Sequence, residues 1–356
     1  MKRRLPSALS SILLLGVALA ISALLAEASV RLLLGEQVKF PRHVVGAPWG
    51  LRFNEPLAVY RHKSPDVTVW FRINQEGMRA DRAYGYEKPA GVKRIVSLGD
   101  SFTIGYEVNA EDTFSSVLER ELGAKGLSVE VLNCGVSGYS TAEEYLYLER
   151  ELWKYHPDLV LVSYFPNDLV DNTRSGLFGL QGGRLSAAAD AYVPAGGLGD
   201  FLNTNPVFNW LSAYSDAFAF VKERATSLAK RRMVEENLQN VDASGSVEHR
   251  ATAEESYQQA LAVALFEALY ETTRAHGVPL VIQSIPEETR NDLADLFPDF
   301  DVNRPGVHFL SAKQVLEPYR GKELLYWKRS HFHWTPFSHR VSGKALAELI
   351  VENRLL

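Results

Sequence analysis

The run Asp158-Leu159-Val160-Leu161-Val162-Ser163-Tyr164 constrains the fold more than any other stretch. If extended, it is apolar on both faces, and strands of that kind belong to parallel sheets covered by helices above and below. The same strand, loop and helix rhythm recurs from residue 92 onward. Arg94 to Leu98 is a short apolar run ending in Gly99, residues 113–125 have helical periodicity, and Val129 to Leu132 is the next strand. Thr141 to Tyr155 reads as a helix with Glu143 and Glu144 in its first turn. Later come a helix at about 252–276, a strand from Val278 to Ser284 and a last helix at about 338–352. This alternation predicts a three-layer α/β/α domain around a doubly wound, mainly parallel sheet.

The N-terminus obeys a different constraint. Lys2, Arg3 and Arg4 precede an uncharged run of 22 residues from Leu5 to Ala26, long enough as a helix to cross a hydrocarbon core of about 30 Å. Basic residues ahead of the run place the N-terminus in the cytoplasm and the rest of the chain beyond the inner membrane, in the periplasm. A cleaved signal peptide is the rival reading, with small residues at Ala23, Ala26 and Ala28. The expected organisation is a membrane anchor over 1–35 and a leader over 36–90 that packs on the main domain. That leader contains one clear strand at 67–73 and a turn at Asn74 to Gly77. The main domain follows over 91–356, with an insertion at about 170–250 above the sheet's C-terminal edge.

Partners and cofactors are narrowed by composition. The net charge is -5 and no block of like charge occurs, which gives nucleic acid no electrostatic footprint. Cys134 is the single cysteine, so no intramolecular disulfide forms. No cofactor is expected and no metal either. His331 and His333 share a face if extended, with His339 nearby, but no carboxylate completes a ligand set.

The chemistry gathers at strand ends. Gly99-Asp100-Ser101 follows the first strand, Asn133-Cys134-Gly135-Val136-Ser137-Gly138 the second, and Phe165-Pro166-Asn167-Asp168 the third. In a doubly wound sheet these ends converge on one crevice. There Ser101 can act as a nucleophile, with its own N–H, the Gly138 N–H and the Asn167 amide as donors to an oxyanion. Each stretch also has a plain structural explanation, Ser101 and Asp100 as helix-capping residues among them. A base is needed as well, and His333 in Ser330-His331-Phe332-His333-Trp334-Thr335-Pro336 is the candidate.

In combination these stretches resemble the SGNH, or GDSL-type, hydrolases: Gly-Asp-Ser, then Asn-x-Gly-x-x-Gly, then Asn-Asp, then His-Trp-x-Pro before a terminal helix. Asn74, Gly77 and Arg79, with Arg94 to Gly105, also resemble membrane-anchored bacterial members. The resemblance covers about residues 70–170 and 320–356 and implies Ser101 as nucleophile, Gly138 and Asn167 as oxyanion donors and His333 as base. Two departures stand out. Phe165 replaces the Gly that usually opens the third motif. The Asp usually found two or three residues before the catalytic His is absent, those positions being His331 and Ser330. No Asp follows Asp301, and Glu317 and Glu323 are the nearest upstream acids. A Ser-His dyad, a distant carboxylate and a degraded site all stay open. On a dyad, Ser330→Asp or His331→Asp is expected to raise activity. The expected function is a serine ester hydrolase or acyl transferase outside the cytoplasm, acting on acyl groups of envelope or exported polysaccharide. A polysaccharide O-acetyltransferase working with a membrane acyl donor protein and a non-catalytic glycan-binding relative are the alternatives.

Overall fold

The computed structural model of the chain describes residues 7–41, 43–193, 201, 205–238, 247–290 and 292–356. Lys2, Arg3, Arg4, the start of the apolar run and parts of the 170–250 stretch lie outside the described residues.

Five parallel strands form the central sheet: β1 (Lys93–Gly99), β2 (Val129–Asn133), β3 (Leu159–Tyr164), β4 (Leu280–Ser284) and β5 (Val307–Ser311). Their order is β5-β4-β3-β1-β2, so the order reverses between β1 and β3, where a doubly wound sheet opens its crevice. All six residues of β3 are buried, as its continuous apolar sequence requires. β5 has no counterpart in the sequence expectations. It lies at the sheet edge, where His308, Phe309 and Leu310 are only partly covered, and its apolar signal is correspondingly short.

Because alternate strand residues face opposite ways, each helical layer meets its own set. Ile95, Val131, Leu161 and Val281 pack with Phe114 and Leu118 of α3 (Phe114–Ala124) and Leu346 and Ile350 of α9 (Pro336–Glu352). Between those helices Gly343 is obligatory, since a Cβ there would lie 2.7 Å from the Val117 side chain and 2.8 Å from the Phe114 carbonyl oxygen. On the other face Val96, Leu98, Val160 and Ile282 meet Leu146 of α4 (Thr141–Arg150) and Leu261 and Leu265 of α8 (Val247–His276). The helix expected to reach Tyr155 leaves α-geometry after Arg150 and finishes as a 3-10 turn over Leu152–Tyr155. His156, in the left-handed region, caps that turn, and Pro157 follows it.

In the leader, Val59–Lys63 pairs antiparallel with Thr68–Arg72, and the expected turn forms, with Asn74 Oδ1 accepting from the Glu76 and Met78 N–H groups. The N-terminal apolar run is one helix, α1 (Ser7–Leu34), with its apolar side chains exposed, and over Leu9–Leu34 it is long and apolar enough to span a membrane. Near its end α1 docks on α7 (Asp216–Leu238), which follows α6 (Pro206–Tyr214). The Glu27 carboxylate accepts from the Asp216 and Ala217 N–H groups at 2.9 and 3.0 Å and from Ser215 Oγ at 2.8 Å. It therefore caps the N-terminus of α7, where backbone donors lack intrahelical partners. Arg31 and Lys39 pair with the buried Asp216 at 2.9 and 2.7 Å. Glu27→Ala should cost this joint about 0.5–2 kcal/mol. Limited proteolysis should then cut faster between residues 27 and 41, with the main domain left intact.

Candidate active site

Gly99 ends β1 with φ of +151°. A side chain at this position would place Cβ 1.9 Å from Thr103 Oγ1 and 3.2 Å from the Ser163 carbonyl oxygen. The turn therefore closes only around glycine, and Ser101 starts the short helix α2 (Ser101–Ile104). Asp100 Oδ1 accepts from the Phe102 N–H at 2.8 Å. The capping explanation of Gly-Asp-Ser is met by Asp100, and capping fixes Ser101 at the start of α2.

His333 is brought to the same place from the far end of the chain. A bridge between Tyr326 and Trp334 and the hydrogen bond from Trp327 N–H to the His333 carbonyl hold its segment. Trp334 is fully buried against Phe102 and Phe114, and Pro336 opens α9 immediately after. His333 Nε2 lies 2.8 Å from Ser101 Oγ. The ring is nearly buried, with Phe102 and Tyr106 at centroid distances of 5.0 and 5.3 Å. A hydroxyl hydrogen-bonded to an imidazole in this way can lose its proton as it attacks.

Gly138 and Asn167 stand on the neighbouring strand ends. The loop after β2 is tied to β1 by the Cys134 N–H to Ser97 carbonyl and Val136 N–H to Gly99 carbonyl bonds. Gly138 has φ of +74°, and its carbonyl accepts from two buried guanidinium groups, Arg52 and Arg174, the latter at 3.0 Å. Asn167 leads into α5 (Asp168–Ser175) and donates to Asp171 Oδ2 at 3.1 Å, while Arg174 pairs with the other oxygen of Asp171. One network thus fixes both residues. Its remaining amide hydrogen leaves Asn167 able to donate elsewhere. Phe165, standing where Gly is usual, packs on Phe102 at 4.5 Å.

The positions before His333 are not acidic, and neither Glu317 nor Glu323 takes the role of a nearby acid. The carboxylate that faces His333 belongs to Glu107, six residues after Ser101 and fully buried. Its Oε2 is 3.8 Å from His333 Nδ1 and accepts from Ser330 Oγ at 2.6 Å. Its Oε1 is 3.6 Å from Nε2 of His62, a buried residue of the leader. Burial pushes the Glu107 carboxyl up, but His333 and His62 outweigh it and hold the group below the ordinary carboxylate range. Nothing in the local sequence marks Glu107. The one available signal is negative, the missing Asp. His331 sets its ring edge-on to that of His333 at a centroid distance of 6.2 Å and lies 3.8 Å from Glu223 of α7. His339 turns into the core, where its Nδ1 accepts from the Phe114 N–H at 3.2 Å and burial lowers its pKa to about 3.

Asp100, next to Ser101, is one of three mutually interacting buried acids, with Glu144 and Asp168. Burial, then repulsion from neighbouring carboxyls, raises the pKa of Glu144 and Asp168 well above normal, which favours their neutral forms. A raised folded-state pKa stabilises the fold fully below the unfolded value of about 4.3 for Glu and loses that contribution as pH climbs through the folded value. Glu144→Gln should therefore flatten the decline of thermal stability with rising pH. Parallel melting curves for the two proteins across pH 5–9 would contradict an embedded neutral acid.

A model of the GDSL-like lipase/acylhydrolase family matches residues 97–341. An arylesterase of Vibrio mimicus is 34% identical over 76 residues, and the match covers 21% of this chain and 38% of that protein. Two solved structures are also similar. The psychrotrophic esterase EstA from Pseudoalteromonas sp. has a TM-score of 0.36 at 13% identity, covering 74% of this chain and 98% of that one. A two-domain esterase active on acetylated mannans has a TM-score of 0.40 at 11% identity, covering 74% of this chain and 50% of the other.

Proposed function

Because the chain belongs to the GDSL-like lipase/acylhydrolase family, we propose that it is a serine esterase in which Ser101 is the nucleophile and His333 the general base. The 2.8 Å contact between Ser101 Oγ and His333 Nε2 carries this reading. As Oγ bonds to the ester carbonyl carbon, its proton passes to Nε2 and the carbonyl electron pair moves onto oxygen. The N–H groups of Ser101 and Gly138 and the Asn167 amide are the donors proposed for that oxyanion. Its collapse expels the alcohol, protonated from Nε2, and leaves a seryl ester. Water then repeats the sequence and releases the acid; a carbohydrate hydroxyl in its place makes the same site an acyl transferase. The resemblance to membrane-anchored bacterial members favours acyl groups of envelope or exported polysaccharide as the substrate class.

Ser101→Ala and His333→Ala should each abolish turnover of an activated aryl ester, and Ser101→Ala should abolish labelling by a fluorophosphonate. Asn167→Ala should lower kcat about 10²–10³-fold with little change in KM. Turnover by Ser101→Ala equal to that of the wild type would remove the serine mechanism and leave a glycan-binding relative as the better reading.

We also infer that α1 is an uncleaved anchor and that the domain works in the periplasm. The capping of α7 by Glu27 supports retention, because cleavage near Ala26 or Ala28 would cut beside a residue that the folded domain uses. Val207, Trp210 and Tyr214 on one side of α6 are exposed, an aromatic face suited to the membrane–water interface and next to the same joint. A C-terminal reporter should be active only in the periplasm, and the protein should stay with membranes through a salt wash. A soluble mature form starting near residue 27 would show a cleaved signal instead.

A further inference from the structure

Every Ser-His site has to hold the imidazole in the tautomer that leaves Nε2 free to accept, and to stabilise the imidazolium that forms. In this chain the side chain of Ser330 occupies a position where an acid is usual, yet His333 Nδ1 does not face an empty space. It is buried, forms no hydrogen bond among the described residues, and has the Glu107 carboxylate at 3.8 Å. We propose that Glu107 is the positioning residue of the site: its carboxylate orients His333 through Nδ1 and balances the imidazolium charge, while Ser330, in the vacated acid position, holds that carboxylate in place. The proposal rests on the reading of Ser101 and His333 as nucleophile and base.

Four observations carry it. Glu107 is a non-glycine residue with φ of +63°, a conformation that costs of order 1–3 kcal/mol and persists where the surroundings impose it. The surroundings do so: the Tyr106 N–H bonds to the Ser101 carbonyl at 2.9 Å, and Trp327 Nε1 donates to the Glu107 carbonyl at 3.2 Å. The backbone carrying Glu107 is therefore tied to the Ser101 turn on one side and to the His333 segment on the other. Ser330 Oγ, at 2.6 Å, occupies Oε2, the same oxygen that faces Nδ1, so the hydroxyl fixes the carboxylate's rotation. Finally, Oε1 faces His62, which is stacked between Phe40 and Phe71 at 5.0 and 5.9 Å. A purely structural ion pair needs one cationic partner, whereas this carboxylate is set between two imidazoles and one of them touches the nucleophile. A separation of 3.8 Å is loose for a hydrogen bond, as is common before substrate binds, and ion-pair formation on proton transfer favours closure.

The same geometry reverses the expectation drawn from the sequence. An Asp at position 330 would not fill a gap; it would set a second carboxylate against Glu107 in a buried site, where like charges repel.

The test uses the full-length protein in detergent or membranes, with an activated aryl ester. Glu107→Gln keeps shape and the Ser330 contact but loses the charge. It should lower kcat by about 10²–10⁴-fold and shift the acid limb of kcat/KM to lower pH, because a base that loses a neighbouring anion binds its proton less tightly. Ser330→Asp alone should be slower than wild type. Ser330→Asp added to Glu107→Gln should be at least tenfold faster than Glu107→Gln, since it restores a carboxylate on the Nδ1 side. The His333 ring signal, titrated by NMR in a Ser101→Ala background, should move to lower pH with Glu107→Gln; this arm reads the pair whether or not Ser101 is the nucleophile. An unchanged kcat and pH profile in Glu107→Gln, or an unmoved His333 titration, overturns the assignment. Should Glu107→Gln not fold, Ser330→Asp decides alone, and a rate above wild type overturns it.

Discussion

Burial of β1 and β3 on both faces is the constraint from which the rest follows. Two strands without a solvent face must lie inside the sheet, flanked by strands and covered by helices on each side. Their pairing sets Gly99 opposite Ser163, and the β1–β2 pairing sets Ser97 opposite Asn133. All three strands therefore finish within a residue or two of one another at the same edge, and their loops open into one space. That is how Ser101 and His333, 232 residues apart, come within 2.8 Å. The contact does not need a rare local motif around His333; it needs α9 packed on α3, with Trp334 buried at the joint.

The site also shows how environment, and not residue type, assigns roles to acids. Glu107 and Glu144 are both fully buried glutamates. Glu144 has no hydrogen-bond partner among the described residues for either carboxyl oxygen, and burial with Asp100 and Glu143 nearby pushes its pKa well up. Glu107 has two imidazoles and a hydroxyl around it and is ionised. Pairs of titratable groups pushed in opposite directions are characteristic of sites that move protons. Here the carboxyls with raised pKa cluster with Asp100, next to the serine, and the one with lowered pKa faces the histidine.

Much of this was legible in the sequence, and the limits of legibility have physical causes. β1 to β4 and α3, α4, α8 and α9 announce themselves through periodicity, because each has a buried stripe or face to fill. Ser101, Gly138, Asn167 and His333 stand beside elements that could be read, and the structure brings Ser101 and His333 together. β5 was missed because an edge strand has only part of its surface to bury, and α5 because its buried residues are polar: Asp168, Asn172 and Arg174. Glu107 was out of reach for another reason. Its partners come from residues 62, 330 and 333, so its role is made wholly by tertiary contacts, and a lone glutamate in a loop carries no periodicity at all.

Those contacts change the standing of residues 36–90. The family match begins at residue 97, yet both flanks of the site are braced from the leader. On one flank Arg52 reaches the Gly138 carbonyl and pairs with Glu143 at 2.9 Å; on the other, His62 backs Glu107. A buried guanidinium is costly to place unless its partners are fixed, so the bonds of Arg52 to Gly138 and Glu143 tie the leader to the main domain as they brace the site. The leader is continuous with α1, and Lys39, paired with the Asp216 that Arg31 also holds, fixes the junction. An unbroken series of contacts thus runs from the apolar helix through the leader to both sides of Ser101. Through these contacts the direction in which the crevice opens relative to α1 is set by folding.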